Sequence, residues 1–129
     1  MTDAGIYIQR SLEANPLRAP VLRAGIQSLG LPLGSNGLDA GSGIGLQALL
    51  LAEAVGPDGR ITGIDIVPEL LAFGNDRVRR AGFSDRITFC QGDVSRIPFA
   101  DDSFDLVVTS GALEYVPLAE GINELARVI

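Results

Sequence analysis

The segment Leu38-Asp39-Ala40-Gly41-Ser42-Gly43-Ile44-Gly45-Leu46 has the pattern of a buried strand, a glycine-rich turn and the start of a helix. A second apolar segment ends at Asp65, twenty residues after Gly45. Open α/β sheets hold adenosine-containing ligands with such a strand–turn–helix–strand–acid unit. The dinucleotide form of the turn is G-x-G-x-x-G, whereas this chain has G-x-G-x-G with Asp39 two residues before the first glycine. The spacing therefore predicts an adenosine-type ligand without a pyrophosphate.

Apolar strand patterns alternate with helix patterns on both sides of this turn. Such alternation predicts a parallel sheet that is covered by helices on both faces. Residues 1–35 are expected to form an N-terminal helical segment, in which a helix opens at Pro16 and Pro20 with Val21, Leu22, Ile26 and Leu29 on one face. The other predicted elements are strands at 36–39, 61–66, 87–91 and 104–110, helices at 45–55, 68–82 and 117–129, and a loop at 92–103.

Length and composition restrict the class of protein. The 129 residues, 47% hydrophobic and 20% charged, are expected to form one domain over 1–129. A net charge of −6 argues against a nucleic-acid partner. The absence of histidine and the single cysteine, Cys90, exclude a His/Cys metal site and a Ser-His-Asp triad. With no apolar run of membrane-spanning length and no secretory pattern, we expect a cytoplasmic protein without a membrane partner.

Three features at the predicted strand ends have groups that suit contacts with a ligand. The glycine turn lets backbone approach a ligand, and the following helix N-terminus offers unpaired N–H groups. Asp65 ends the second strand and suits the ribose hydroxyls, while Asp93 in Gln91-Gly92-Asp93-Val94 suits an adenine amino group. Each feature also has a purely structural interpretation. These are a glycine turn without a ligand, an acid at a helix start, and an ordinary Gly-Asp turn.

Four ordered motifs give the chain a family resemblance. They are Leu38-Asp-Ala-Gly-Ser-Gly-Ile-Gly45, Gly63-Ile-Asp-Ile66, Gln91-Gly-Asp-Val94 and Ile97-Pro-Phe-Ala-Asp-Asp-Ser-Phe-Asp-Leu-Val-Val108. In these motifs the chain resembles the N-terminal part of a class I S-adenosylmethionine-dependent methyltransferase, in the broad group that acts on small molecules, including ubiquinone and menaquinone biosynthesis enzymes. The resemblance implies a Rossmann-like sheet with strand order 3-2-1-4 and S-adenosylmethionine as the cofactor. It implies methyl transfer to a small-molecule acceptor by in-line displacement.

The resemblance also implies roles for particular residues. The methionyl end of the cofactor would be held by Asp39, Gly41, Ser42, Gly43 and Gly45. Asp65 would bind the ribose and Ile66 would lie against the adenine, whose edge would meet Asp93 and Val94. Ser110 would offer its carbonyl near the transferring methyl group. No catalytic residue is assigned, and Glu114 and Tyr115, which stand where many relatives carry histidine, are only candidates for a base.

The chain departs from the family pattern at its end. The sequence stops before the family's strands five to seven, so the domain is expected to be incomplete and the fourth strand to lie at an open edge. We hypothesise that the chain is a fragment, or that it pairs this edge with a second copy. An alternative function is binding of S-adenosylmethionine or S-adenosylhomocysteine without turnover. A nicotinamide-dependent oxidoreductase is disfavoured by the glycine spacing and by Asp39.

Overall fold

A four-stranded parallel sheet organises the computed structural model, which describes all 129 residues. The strands are β1 (Asn36–Ala40), β2 (Arg60–Asp65), β3 (Ile87–Gln91) and β4 (Leu106–Thr109). Their order, β3-β2-β1-β4, confirms the predicted topology and leaves β3 and β4 at the two edges. The fourth strand is shorter than predicted, because the amide of Phe104 donates to the carbonyl of Val128 and not to the neighbouring strand.

Four α-helices and one 3-10 turn connect and cover the strands. They are α1 (Asp3–Ser28), α2 (Leu46–Val55), α3 (Pro68–Arg80), the 3-10 turn (Leu113–Tyr115) and α4 (Leu118–Val128). No helix combines the length and the apolar character needed to cross a membrane. The three helices that follow strands match the predicted helices to within a few residues at each end.

The N-terminal segment differs from the prediction. It forms one helix of 26 residues that runs through Pro16 and Pro20, with Thr2 accepting a hydrogen bond from the amide of Gly5 at its start. Each proline removes one helical N–H, but its fixed φ is compatible with helix. The predicted apolar face was wrong at Val21 and Leu29, which are exposed, because α1 lies on the domain only through the side that carries Leu22 and Ile26.

The two faces of the sheet carry separate apolar clusters. The larger cluster lies under α1, α2 and α3 and includes Leu51, Val55 and Ile61. The smaller lies on the α4 side and includes Leu38, Ile64 and Val128. Alternate strand residues supply the two clusters, as the pleat requires. Asp39 and Asp65 therefore point to the same face, towards α1, α2 and α3.

The apolar stripe predicted for the last helix was also largely wrong. Leu118, Ile122 and Ile129 are exposed, whereas Gly121 and Val128 are buried. The cause is the close approach of α4 to the preceding turn. A Cβ at Gly121 would lie 2.7 Å from a methyl group of Leu113, so only the side of α4 that carries glycine fits against this turn.

Candidate functional site

The carboxyl ends of the strands carry two adjoining cavities. The larger has a volume of about 400 Å³ and the smaller of about 70 Å³, and Tyr7, Gly41 and Ser110 line both. They lie where the strand order reverses between β1 and β4, the place at which open α/β sheets bind ligands. The residues that form this site therefore come from several elements that are distant in the sequence.

The three glycine positions of the turn leave no room for a side chain or favour glycine by their backbone conformation. Gly41, Gly43 and Gly45 have φ values of +79°, +54° and +82°, in the left-handed region that favours glycine. A Cβ at Gly45 would lie 2.6 Å from the ring of Phe89, and one at Gly41 would collide with the side chain of Ala112. The turn thus brings bare backbone to the cavity edge and directs the start of α2 towards it.

Asp65 joins the turn to the next helix. Its Oδ2 accepts a hydrogen bond from the amide of Gly43 at 3.0 Å, and its Oδ1 accepts one from the amide of Val67 at 3.1 Å. A carboxylate oxygen can accept more than one hydrogen bond. Both oxygens of Asp65, which lines the larger cavity, therefore retain capacity for ligand hydroxyl groups.

Asp39 is the most deeply buried acid of the site. Its Oδ1 accepts a hydrogen bond from Nε2 of Gln47 at 3.0 Å, while its Oδ2 has no partner. Burial raises the pKa of Asp39 to about 7, although the bond from Gln47 opposes the rise. The charge of Asp65 raises this pKa further. The unpaired oxygen makes Asp39 a ready acceptor for a ligand donor.

Asp93 and its neighbours form the far end of the larger cavity. Oδ1 of Asp93 accepts bonds from both the hydroxyl and the amide of Ser95, at 2.7 and 2.8 Å. These bonds lower the pKa of Asp93, so the group remains ionised at neutral pH. Its Oδ2 has no bond within the protein, and the adjoining Val94 is buried against the sheet.

Eight of the ten residues predicted for the site line one or both cavities. Two do not. The amide of Gly43 is bound to Asp65, and Gly45 lies under Phe89, so both shape the turn behind the cavity wall. The eight lining residues are Asp39, Gly41, Ser42, Asp65, Ile66, Asp93, Val94 and Ser110.

Of the two candidates for a base, Tyr115 lines the larger cavity and Glu114 does not. Tyr115 is largely exposed, and the charge of Glu114 raises the pKa of its phenol. A phenol with a raised pKa keeps its proton at neutral pH. Tyr115 can therefore donate a hydrogen bond at the cavity, but it is unsuited to accept a proton.

Sequence reasoning missed the residues that the first helix contributes. Tyr7, Ser11, Asn15 and Arg18 line the smaller cavity from α1. Their spacing of four, four and three residues places them on one helix face, a signal that was present in the sequence. Gln47 was missed as well, because its contact with Asp39 forms only when α2 folds back over the end of β1.

The fold is that of a doubly wound α/β protein with its polar residues at the switch point. A family model described as a methyltransferase domain matches residues 38–129. The chain therefore belongs to this methyltransferase family. The match begins within β1 and leaves α1 outside it.

Individual relatives agree with the family assignment. A demethylmenaquinone methyltransferase from Bacillus velezensis is 34% identical over 105 residues, which are 81% of this chain and 45% of the relative. A protein from Methanococcus maripaludis, provisionally assigned as an S-adenosyl-L-methionine-dependent methyltransferase, superposes with a TM-score of 0.86 at 25% identity, over 98% of this chain and 59% of that one. The chain spans less than half the length of the curated relatives it matches.

The same fold is also found in a protein named for a different reaction. The [4+2]-cyclase SpnF is 30% identical, with a TM-score of 0.75 over 84% of this chain and 40% of that one. Fold and sequence likeness at this level therefore fix the family, while the reaction has to be argued from the site.

Proposed function

We propose that this chain binds S-adenosylmethionine and that the protein to which it belongs transfers the methyl group to a small-molecule acceptor. The observation that carries the proposal is the arrangement of Asp39, the glycine turn, Asp65 and Asp93 along one edge of the sheet, around two joined cavities. A nucleoside with an amino-acid tail matches a large cavity that continues into a small polar one.

The residues present fit this cofactor in size and in chemistry. Under the proposal Asp65 accepts hydrogen bonds from the ribose hydroxyls, Ile66 lies against the adenine, and Asp93 and Val94 meet the adenine edge. The buried, unpaired Oδ2 of Asp39 supplies an acceptor for the amino group of the tail. Gly41 and Ser110, which line both cavities, lie between these two ends, and Ser42 lies with Asp39 at the smaller cavity.

Methyl transfer requires the protein mainly to position the methyl donor and the acceptor. S-adenosylmethionine, when bound, supplies a methyl group on a positively charged sulfur, and the acceptor displaces it in line. The proposed contribution of this chain is to hold the methionyl end at the glycine turn, beside the carbonyl of Ser110. Alignment of two reactants can provide about 7–11 kcal/mol of barrier reduction without a specialised base.

Calorimetry with S-adenosylhomocysteine tests the binding half of the proposal. Saturable binding with one site per chain supports it, whereas no heat from a folded sample at millimolar ligand refutes it. Turnover is measured separately, as transfer of labelled methyl from S-adenosylmethionine to neutral small molecules such as demethylated quinols. Binding without transfer would favour the alternative function of a non-catalytic cofactor-binding chain.

Two further parts of the proposal concern the setting of the protein. We place it in the cytoplasm, on the grounds of its single free cysteine, Cys90. We also propose that two copies associate through the open edge of β4, where Val107 and Val108 are only half-buried. Sedimentation of the chain at two concentrations tests the second point, and a monomer at both would contradict it.

A further inference from the structure

Tyr7, Gly41 and Ser110 line both cavities and so mark the place where the cavities join. Under the proposed function this junction lies between the adenosine end and the methionyl end of the cofactor, where the sulfur and its methyl group are. An acceptor has to reach the methyl group at this place. The part of the larger cavity beside the junction is therefore the position that an acceptor has to occupy.

The start of α1 and the segment after β4 both lie against the glycine turn at this junction. A Cβ at Gly43 would lie 3.2 Å from the hydroxyl of Tyr7, and one at Gly41 would collide with the side chain of Ala112. The two segments also line the larger cavity. They therefore form the walls beside the position of the methyl group.

These walls carry two aromatic rings and one carboxylate for which the proposed cofactor contacts have no use. Tyr7 and Asp3 line the cavity from α1, and Tyr115 lines it from the 3-10 turn. The tyrosines are 50% and 80% exposed, so their rings have free faces. The carboxylate of Asp3 forms no ion pair with any basic residue of the chain. All three side chains are therefore available to a ligand.

The charge of the larger cavity is entirely negative. Asp3, Asp65 and Asp93 line it, and no lysine or arginine does. Glu114 adds to this field from behind the wall, since its charge raises the pKa of the Tyr115 phenol. Like charges repel at these distances, so a phosphate or carboxylate on the acceptor is disfavoured here and a cationic group is favoured.

We propose that the start of α1 and the 3-10 turn form an acceptor site for a small amine, with Tyr7, Tyr115 and Asp3 around the nitrogen. The inference rests on the proposed function and names the class of its acceptor. Aromatic faces attract alkylammonium groups through the ring quadrupole, and a nearby carboxylate adds a direct charge interaction. This combination discriminates an amine from an uncharged group of the same shape.

Methyl transfer to an amine keeps a positive charge in this cavity throughout. The lone pair of the unprotonated nitrogen attacks the methyl carbon, and the carbon–sulfur bond breaks with its electron pair passing to sulfur. The charge thus moves from sulfur to nitrogen, and a primary or secondary amine then releases its N–H proton to water. The rings and the carboxylate stabilise the ammonium product where it forms.

The test uses two probes of the same shape that differ in charge. Choline carries a quaternary nitrogen, and 3,3-dimethylbutan-1-ol has carbon in its place. Each is titrated by ligand-observed NMR into the chain saturated with S-adenosylhomocysteine, which carries no charge on its sulfur. We expect choline to bind about fivefold or more tightly than the alcohol, because two exposed rings each contribute to binding of the cation.

Three substitutions assign this preference to its residues. Tyr115→Leu removes a ring that is largely exposed and should reduce choline binding by about threefold, whereas Tyr115→Phe keeps the ring and should retain the affinity. Asp3→Asn should reduce choline binding and leave that of the alcohol nearly unchanged. Glu13→Gln is the matched control, because Glu13 lies on the same helix, lines neither cavity and loses the same charge.

Equal binding of the two probes, or tighter binding of the alcohol, would overturn the amine site. Choline binding that is reduced as much by Glu13→Gln as by Asp3→Asn would overturn it as well, since only the net charge would then matter. Saturation with S-adenosylhomocysteine is established first by calorimetry. A folded chain that fails at that stage contradicts the proposed function itself, so the two failures are distinguishable.

Discussion

The amide of Gly43 donates to Oδ2 of Asp65 at 3.0 Å, which fastens the glycine turn after β1 to the end of β2. The other oxygen of Asp65 accepts from the amide of Val67, just before α3 begins at Pro68. One carboxylate therefore fixes the turn and the entry to the next helix. The bond from the amide of Val67 to Asp65 also accounts for the start of α3, since the side chain of Val67 provides no cap.

Removal of the Asp65 carboxylate should affect both stability and binding. We expect Asp65→Ala to lower the free energy of unfolding by about 1–3 kcal/mol, because two part-buried amides lose their acceptor. Binding of S-adenosylhomocysteine should weaken by about tenfold or more, as the ribose hydroxyls lose theirs. Urea unfolding and calorimetry on the same preparations measure the two effects.

Asp65→Asn separates the two roles of this side chain. Its amide retains one acceptor oxygen, so it should unfold at a urea concentration between those of Asp65→Ala and the unaltered chain. Wild-type affinity for S-adenosylhomocysteine in folded Asp65→Ala would remove this carboxylate from the binding site.

The crowding of the glycine turn can be tested with two matched substitutions. Gly45 and Gly82 have nearly equal φ values, +82° and +80°, but a Cβ at Gly45 meets Phe89 whereas one at Gly82 meets nothing within 4 Å. Gly82→Ala should cost about 1–2 kcal/mol from backbone conformation alone. Gly45→Ala should cost about 1–3 kcal/mol more, because the ring of Phe89 has to move. Equal losses of unfolding free energy in the two variants, measured with urea, would show that the ring of Phe89 moves aside without cost.

The sheet was predictable because its determinants are local in the sequence. Each strand is a short segment with an apolar centre that is bounded by turn residues, such as Ile87 to Gln91 between a turn and Gly92, and its length separates it from a helix. The strand order came from the family resemblance and the structure confirms it. Eight predicted site residues lie at the cavities because parallel strands end at one edge.

The errors all concern tertiary contacts that no local pattern specifies. The orientation of α4 follows from the fit of Gly121 against Leu113, which depends on how the preceding turn packs. The continuity of α1 depends on its docking against α2, which compensates for the bonds lost at Pro16 and Pro20. The contact of Gln47 with Asp39 likewise exists only in the folded chain.

Arg127 anchors the loop that carries the adenine end of the proposed site. Its guanidinium donates to the carbonyls of Ile97 and Phe99 and binds Glu124, whose carboxylate accepts from the amide of Ile97. We expect Arg127→Ala to lower the urea midpoint and to speed amide exchange at Ile97. Arg127→Lys should recover only part of the midpoint, because an ammonium cannot reach both carbonyls in the same geometry.

The stability lost in Arg127→Ala should depend on pH, because part of it comes from the ion pair between Arg127 and Glu124. Hydrogen bonding from Arg127 lowers the pKa of Glu124 to about 2, below the ordinary 4.5. A lowered folded-state pKa contributes stability above about pH 4.5 that disappears as the pH falls towards 2. The difference in urea midpoint between the unaltered chain and Arg127→Ala should therefore shrink over that range. A constant difference would show that the ion pair with Glu124 does not contribute to the anchor.

Asp39 should make folding stability fall as the pH rises. Burial raises its pKa to about 7 from 3.8, so between these values the folded chain binds a proton that the unfolded chain has released. The contribution of Asp39 to the free energy of unfolding is therefore highest below about pH 4. It decreases by a total on the order of 4 kcal/mol up to pH 7 and is constant above that pH. Asp39→Asn lacks the titrating group and should gain stability over the unaltered chain across this window, measured by urea unfolding.

Ligand affinity should change with pH in the opposite sense, because an ammonium group needs the ionised form of Asp39. The charged and titrating groups that line the same cavity are Arg18 and Tyr7 of α1, and Asp65 lies beside it at the end of β2. S-adenosylhomocysteine should bind the unaltered chain more weakly at pH 6 than at pH 8. Binding of 5′-methylthioadenosine, which lacks the amino-acid tail and so has no ammonium group, should remain nearly constant. Asp39→Asn should bind S-adenosylhomocysteine weakly at both values. If that variant kept the pH dependence of the unaltered chain, the titrating group would be one other than Asp39.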